Sequence, residues 1–393
     1  MFDIQITKEN SVTKSIDCSS LGLPPLPSGS ADTITALLWA REVLQKHQAT
    51  IYAVADPNGI EELKSVNIGG VEQWLHIRGR NKDNPVLLFV HGGPGSPMIG
   101  LMDAVQRPWE DYFTVVQWDQ RQTGKSYYPA DDKNNPLTLD QFIKDSEEVV
   151  QYLRDHMNVD KLFLLGHSWG TVLGMHMVKR HPDWLHAYIG VGQTVGALSN
   201  ARVLYSRLIH HAKNNGEYDL VSKIEKEISL LDSDSPGREE SYADNCILVR
   251  RELSRLGGEA LMRHTFWDDA LASFSLDRAI SPHLTLTDLS NSIIGDESAF
   301  LRSPYVFTEE LLNIDLPTDL GLSFDVPIFF FSGKHDWQTA TSLSDQWFDS
   351  MKAPHKELIR FENSCHYMMN EEPGKVLLSL VNKVLPFANY DSD

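Results

Sequence analysis

An apolar run at residues 162–165 leads into Gly-His-Ser-Trp-Gly, which places Ser168 at the centre of a Gly-x-Ser-x-Gly motif. This pattern is typical of a strand that delivers a serine to a sharp turn before a helix. Gly166 and Gly170 are needed because a side chain at either position would collide with the turn backbone. A serine hydroxyl is a weak nucleophile, so reactivity also requires a base and oxyanion donors from elsewhere in the chain.

Short apolar runs alternate with helix-length segments on both sides of this motif. A Gly-Gly hairpin over residues 64–77 precedes them. Strands that alternate with helices form a parallel sheet covered on both faces, so the sequence predicts an α/β fold with a mostly parallel sheet. The apolar runs lie at residues 85–90, 113–118, 162–165, 187–192, 327–333 and 357–361, and the helical segments at 139–156 and 170–181.

Changes in the pattern of apolar and charged residues divide the chain into four parts. The alternation stops near residue 196 and resumes near residue 326, and the segment between is charged and helical in period, which indicates a helical cap inserted into the core. In the N-terminal arm a helix is expected from Thr33 to about Gln48, with Asp32 as its N-cap. This arm could pack on the main domain, contribute to a dimer or help to roof the site. The four parts are an arm (1–62), the first part of the core (63–195), the cap (196–325) and the second part of the core (326–393).

Composition excludes several function classes. A net charge of −19 without any basic block argues against a nucleic-acid or membrane partner, because phosphate contacts need Lys or Arg. The acidity serves solubility, or alternatively attracts a cationic substrate such as a free amine. No secretory signal and no run of eighteen apolar residues is present, so we expect a cytoplasmic protein. Three scattered cysteines and the lack of metal-binding spacing predict neither a metal nor a cofactor. The oligomeric state is left open.

Two later segments supply an acid and a base for Ser168. Asp336 follows an all-apolar strand-like run, and His366 follows the last such run. In a parallel sheet, catalytic groups collect at the carboxyl ends of the strands. We therefore expect His366 to accept the serine proton, while Asp336 orients the imidazole and stabilises its cationic form.

Oxyanion donors are expected from two backbone amides. Residues 91–95 read His-Gly-Gly-Pro-Gly directly after a strand-like run, and glycines allow the backbone to approach a ligand closely. Within this loop Gly93 is the candidate donor. The second candidate is the N–H of Trp169, the residue after the nucleophile.

These motifs together resemble the α/β-hydrolase superfamily and, more narrowly, the proline iminopeptidase family of serine aminopeptidases. The resemblance covers about residues 65–195 and 326–385. The resemblance to the superfamily includes His-Tyr-Met-Met-Asn-Glu-Glu-Pro at residues 366–373, which is similar to the turn that carries the catalytic histidine there. The narrower resemblance rests on the glycine loop at 91–95, on Trp-Asp-Gln-Arg-Gln-Thr-Gly-Lys-Ser at 118–126, and on the Gly-His-Ser-Trp-Gly motif at 166–170.

The resemblance implies an α/β-hydrolase fold with a helical cap and acyl-enzyme catalysis without metal or organic cofactor. It implies Ser168 as nucleophile, His366 as base and Asp336 as acid, with Gly93 and Trp169 as oxyanion donors. The reaction it implies is release of an N-terminal residue, preferably proline, from a small peptide.

Departures from the family pattern leave the substrate open. In that family the cap supplies carboxylates near a Trp-Glu pair that bind the free amino terminus, and this cap has no Trp-Glu. The nearest match is Phe-Trp-Asp-Asp at residues 266–269. The candidate substrate-binding residues are Trp267, Asp268 and Asp269 in this segment, together with Gly92 and His167 beside the catalytic motifs.

Two alternatives follow from the same residues. A carboxylesterase or lactonase that acts on a small ester would use the same triad. From a different class come a non-hydrolytic lyase or cyclase, or a binding protein, on the same scaffold.

Overall fold

A central sheet of eight strands organises the computed structural model, which describes residues 33–128, 137–231, 252, 255, 276–294 and 308–389. The strand order is β1-β2-β4-β3-β5-β6-β7-β8. The pairs β1–β2 and β2–β4 are antiparallel and all others are parallel, which confirms the predicted mostly parallel sheet. The strands are β1 (Ile60–Ile68), β2 (Val71–Gly79), β3 (Val86–Val90), β4 (Thr114–Asp119), β5 (Leu162–His167), β6 (Leu185–Val191), β7 (Ile328–Gly333) and β8 (Lys356–Phe361).

The α-helices are numbered here in chain order along the described residues. The longest core helix begins after Thr138, whose side chain accepts a hydrogen bond from the Gln141 N–H, and ends at Asn158 in the left-handed conformation. The helices are α1 (Thr33–Ile51), α2 (Asp103–Gln106), α3 (Leu139–Met157), α4 (Trp169–Arg180), α5 (Ala197–Asn214), α6 (Tyr218–Leu231), α7 (Leu286–Ile294), α8 (Thr308–Leu312), α9 (Leu316–Leu320), α10 (Thr341–Ser350), α11 (Met368–Glu371) and α12 (Pro373–Ser379).

Both faces of the sheet are covered, which explains why its central strands are apolar without interruption. Side chains of β3 alternate between two core clusters. Leu88 and Val90 pack in the cluster that includes residues of α3, α4 and α10. Leu87 and Phe89 pack in a second cluster with residues of α12. The strand ends that carry the candidate site are therefore held by packing on both sides.

The two ends of the inserted segment lie next to each other beside the core. Gly196 and Asp315 form an isolated β-bridge, and the Leu316 N–H donates to the Val195 carbonyl at 2.9 Å. Leu316 and Leu320, in the segment assigned to the cap by sequence, pack in the core cluster with α3 and α4. The described part of the insertion up to this point consists of helices and their connections, and the division into four parts stays a prediction.

Helix α1 of the arm contacts the inserted segment. Arg41 Nε donates to the Ala279 carbonyl at 2.8 Å, and Gln45 Nε2 donates to the Ser281 carbonyl at 2.6 Å. The predicted N-cap, Asp32, lies outside the described residues. Strand β1 begins at Ile60, so the predicted end of the arm at residue 62 falls inside a strand. Among the described residues, no helix is long and apolar enough to cross a membrane.

Candidate active site

Ser168 stands at the junction of β5 and α4 in a backbone conformation that side chains rarely adopt, with φ 54° and ψ −119°. The turn has no room for larger residues at its two glycines. A Cβ on Gly170 would lie 2.0 Å from the Val90 carbonyl oxygen, and a Cβ on Gly166 would lie 2.5 Å from the Gly170 oxygen. This close packing forces the strand–turn–helix geometry that the motif predicts and leaves Ser168 7% exposed.

Asp336 and His366 form a buried pair at the ends of β7 and β8. Asp336 Oδ2 lies 2.8 Å from His366 Nδ1, and both side chains are at most 1% exposed. The other carboxylate oxygen, Oδ1, accepts the N–H groups of Gln338 and Thr339 at 2.8 and 3.0 Å. Burial alone would raise the pKa of Asp336, but its pairing with His366 and the hydrogen bonds from Thr339 outweigh burial and lower the pKa. Asp336 is therefore ionised at neutral pH.

Ser168 is brought beside this pair by β6. Its N–H donates to the Val191 carbonyl at 3.0 Å. The next residue, Gly192, is so close that a Cβ there would lie 3.0 Å from the His366 ring and 3.3 Å from Asp336 Oδ2. Among the described residues His366 Nε2 is buried without a hydrogen-bond partner, so this nitrogen is available to accept a proton. Ser168 and His366 form no hydrogen bond here, and such contacts often tighten only when substrate binds.

The glycine loop lies against the nucleophile. A Cβ on Gly92 would be 3.0 Å from Ser168 Cβ, and Gly93 adopts φ +110°. None of the described residues accepts a hydrogen bond from the Gly93 N–H. Its role as an oxyanion donor stays a prediction.

Gln120 ties the glycine loop to helix α4. Its Nε2 donates to the His91 carbonyl at 2.9 Å, and its Oε1 accepts from Trp169 Nε1 at 3.0 Å. Gln120 thus positions both segments that carry the candidate oxyanion donors. The motif at residues 118–126 indicates this loop, but the sequence alone predicts no role for Gln120.

Neighbours of Gln120 in the same motif hold its loop in place. Asp119 accepts the N–H groups of Lys125 at 2.9 Å and Ile99 at 3.4 Å. Burial raises the pKa of Asp119 to about 7, although these hydrogen bonds oppose the shift. Arg121 Nη2 donates to Asp145 Oδ1 at 2.7 Å, in an ion pair with no solvent exposure. Both side chains therefore act on the structure of the loop.

The loop that carries Asp336 is held by the insertion. Asn200 on α5 donates from Nδ2 to the Gln338 carbonyl at 2.7 Å, and its Oδ1 accepts the Ala340 N–H at 2.7 Å. This double contact joins the cap to the acid loop. No pattern in the sequence distinguishes Asn200, because its partners lie in a segment about 140 residues later.

Two glutamates hold the turn that carries His366. Glu371 Oε2 accepts the Cys365 N–H at 2.7 Å, and Glu372 Oε2 accepts the Ser364 hydroxyl at 2.7 Å. The Glu-Glu-Pro sequence after the histidine therefore has a physical reason. Its carboxylates satisfy polar groups of the preceding turn.

The structure places two of the five predicted substrate-binding residues. Gly92 lies against Ser168, as described above, and His167 is buried with its ring centroid 4.7 Å from that of His366. Burial, together with the neighbouring His366, lowers the pKa of His167 to about 3, so the neutral ring donates from Nε2 to the His366 carbonyl at 3.2 Å. Trp267, Asp268 and Asp269 lie outside the described residues.

Comparison with known proteins gives sequence relatives among peptidases. A family model described as alpha/beta hydrolase fold matches residues 85–208. The probable aminopeptidase YbaC of Bacillus subtilis is 32% identical over 331 residues, which cover 82% of this chain and 95% of that protein. The proline iminopeptidase of Lactobacillus helveticus is 31% identical over 144 residues, 36% of this chain and 45% of that protein.

Solved structures with the same fold include VinJ and the proline iminopeptidase of Mycobacterium smegmatis. VinJ superposes with a TM-score of 0.57 at 18% identity, over 82% of this chain and 97% of VinJ. The mycobacterial enzyme gives a TM-score of 0.55 at 15% identity, over 83% of this chain and 98% of that chain. These structural matches show the fold, and the extended sequence match to YbaC shows that the two proteins belong to one family. The chain therefore belongs to the α/β-hydrolase family, as a hydrolase that resembles the proline iminopeptidases.

Proposed function

We propose that the chain is a serine hydrolase that works through an acyl-enzyme, with Ser168 as nucleophile, His366 as base and Asp336 as acid. The observation that carries this proposal is the buried Asp336–His366 pair at 2.8 Å, with His366 Nε2 left without a partner among the described residues. A buried imidazole with one nitrogen on a carboxylate and the other unpaired is suited to shuttle a proton.

The reaction proceeds in two halves. Ser168 Oγ attacks the substrate carbonyl while its proton passes to His366 Nε2, and Asp336 stabilises the resulting imidazolium. The N–H groups of Gly93 and Trp169 stabilise the oxyanion. His366 then gives its proton to the leaving amine. In the second half a water molecule attacks the acyl-enzyme, His366 takes the proton of this water, and Ser168 recovers a proton as the acid product leaves.

The reaction we propose is release of an N-terminal residue, preferably proline, from a short peptide. Support comes from the match over nearly the full length of a probable aminopeptidase and from the partial match to proline iminopeptidases. We assign Trp267, Asp268 and Asp269 to binding of the substrate's free amine, with Gly92 and His167 lining the acyl side. A net charge of −19 favours such a cationic substrate.

Parallel assays of proline para-nitroanilide and of para-nitrophenyl acetate and butyrate test this proposal. Wild type should release proline, and Ser168→Ala should lose this activity together with labelling by a fluorophosphonate probe. Ester cleavage without proline release would reject the aminopeptidase in favour of an esterase or lactonase. Absence of both activity and labelling in a folded wild type would reject the serine hydrolase itself.

A pair of variants separates amine recognition from chemistry. If Asp268 and Asp269 bind the amine, the double change to asparagine should raise KM for proline para-nitroanilide and leave ester cleavage unchanged. The matched control is Asp183→Asn, which removes an exposed carboxylate from the surface of the core. Equal losses on both substrates would show that the two aspartates act on something other than the amine.

A further inference from the structure

Glu61, His76 and His283 form a cluster that shares no residue with the proposed catalytic machinery. One ligand atom from each lies within 4.8 Å of the other two. Glu61 is on β1, His76 is on β2, and His283 precedes α7 in the inserted segment. The cluster therefore joins the N-terminal hairpin to the cap.

His76 is the anchor of this cluster. Its side chain has no solvent exposure, and none of the described residues forms a hydrogen bond with either ring nitrogen. Buried polar atoms are nearly always paired with protein, water or an ion, so two orphaned nitrogens on one ring call for an explanation. A bound metal ion would satisfy one of them, because the lone pair of a neutral imidazole is a good metal ligand.

His283 has an acidic neighbour that can hold its ring. Asp103 Oδ2 lies 3.4 Å from His283 Nε2, and the Asp103 side chain is buried. Histidines that bind metals commonly donate their other ring N–H to a carboxylate, which fixes the ring orientation. Asp103 is thus placed to act as an outer partner of the site.

Glu61 must give up two contacts to turn towards the two histidines, the ion pair with Arg78 and a weak hydrogen bond from the Val54 N–H at 3.4 Å. It is exposed and pairs with Arg78, but Arg78 also pairs with Glu110 at 2.9 Å and donates to the Tyr52 carbonyl. Arg78 therefore keeps partners when Glu61 moves. Charged side chains of both signs surround the cluster, and the carboxylates are Glu61, Asp103, Glu110 and Asp288 beside Arg41, Arg78, Arg107 and Lys125.

We propose that Glu61, His76 and His283 bind a Zn²⁺ ion. Two imidazole nitrogens and one carboxylate oxygen match the ligand preferences of zinc, and a water molecule completes the tetrahedron. Zinc bonds of about 2.0–2.2 Å require ligand atoms about 3.4 Å apart, so ligand atoms that lie up to 4.8 Å apart must approach one another by up to about 1.4 Å. The Glu61 side chain, which is more exposed than the two histidines, has the most room to move.

The bound ion would steady the inserted segment beside the glycine loop. Arg278 in this segment donates to the Pro97 carbonyl at 2.9 Å, and a Cβ on Gly100 would lie 2.6 Å from Ser281 Oγ. Residues 97–100 directly follow the glycine loop. Zinc at the cluster therefore links the β1–β2 hairpin to the inserted segment, which in turn contacts residues next to the glycine loop. This structural role does not depend on the proposed reaction.

Zinc titration of the tag-free, chelator-stripped full chain tests the proposal. Calorimetry should show one Zn²⁺ per chain, and the unfolding temperature should rise with zinc. Glu61→Gln and His283→Gln should weaken binding by more than the roughly 10–100-fold that loss of an outer partner costs. The controls Glu72→Gln and His47→Gln, both exposed and outside the cluster, should bind zinc as wild type does.

A third variant guards against loss of folding. His76→Phe removes no hydrogen bond to any described residue, so without metal its unfolding temperature should equal or exceed that of wild type, while zinc should no longer raise it. The proposal is overturned if wild type fails to bind zinc. It is equally overturned if His76→Phe and His283→Gln bind zinc with wild-type affinity, since the ion would then sit elsewhere.

Discussion

Replacement of Gly92 with alanine should slow the proposed reaction without unfolding the chain. The new Cβ would lie 3.0 Å from Ser168 Cβ and 3.2 Å from the His167 carbonyl oxygen. Carbon atoms in contact prefer about 3.5–4.0 Å, so the loop and the serine must separate by roughly 0.5–1 Å. A displacement of about 1 Å can lower a rate on the order of 100-fold, which corresponds to about 2.7 kcal/mol in the transition state.

The assay is kcat/KM on proline para-nitroanilide together with urea unfolding of the same preparations. Gly374→Ala is the matched control, because a Cβ there meets no atom of the described residues within 4 Å, and its rate should equal that of wild type. Ser168→Ala sets the background. A wild-type rate in Gly92→Ala would refute the reasoning, because it would mean that the glycine loop does not control the position of Ser168.

Two further predictions concern residues that support the site. Asn200→Ala removes both hydrogen bonds to the acid loop and should lower the free energy of unfolding by about 1–3 kcal/mol together with kcat. Ser206→Ala, an exposed change on the same helix, is its control in urea unfolding and rate assays. Asp119 has a pKa raised by burial from 3.8 to about 7, so the unfolded chain loses this proton first and stability falls as pH rises between these values. Asp119→Asn should remove this dependence. In urea unfolding from pH 5 to 8, the free energy of unfolding of the variant relative to wild type should rise by up to about 1.4 kcal/mol per pH unit below pH 7. Equal pH dependence of the two proteins would contradict the pKa shift.

Local sequence was sufficient to predict most of the elements. The predicted strand at 162–165 is β5 (Leu162–His167), and the predicted helix at 139–156 is α3 (Leu139–Met157). Such segments are recognisable because a strand buried on both faces needs an unbroken apolar run, and an amphipathic helix needs an apolar stripe. The Gly-x-Ser-x-Gly turn is equally local, since its glycines are required by contacts within a few residues and with the adjacent strand.

Chain order was also informative for the candidate site. Asp336 and His366 each follow a strand-like run in the sequence, and the structure brings Asp336 Oδ2 to 2.8 Å from His366 Nδ1 at the ends of β7 and β8. Parallel neighbouring strands end at the same edge of a sheet, so position after a strand translates into position in space. The sequence alone therefore named the residues that meet there.

Tertiary structure decided everything that depends on contacts between distant segments. The strand order, the hold of Asn200 on the acid loop, and the link that Gln120 makes between the glycine loop and α4 have no local pattern. Glu61, His76 and His283 likewise match no metal-binding spacing in the sequence. They come close together only because the hairpin and the inserted segment pack against each other. Periodicity reports which face of an element is buried, but the partner on that face is chosen by packing of the whole chain.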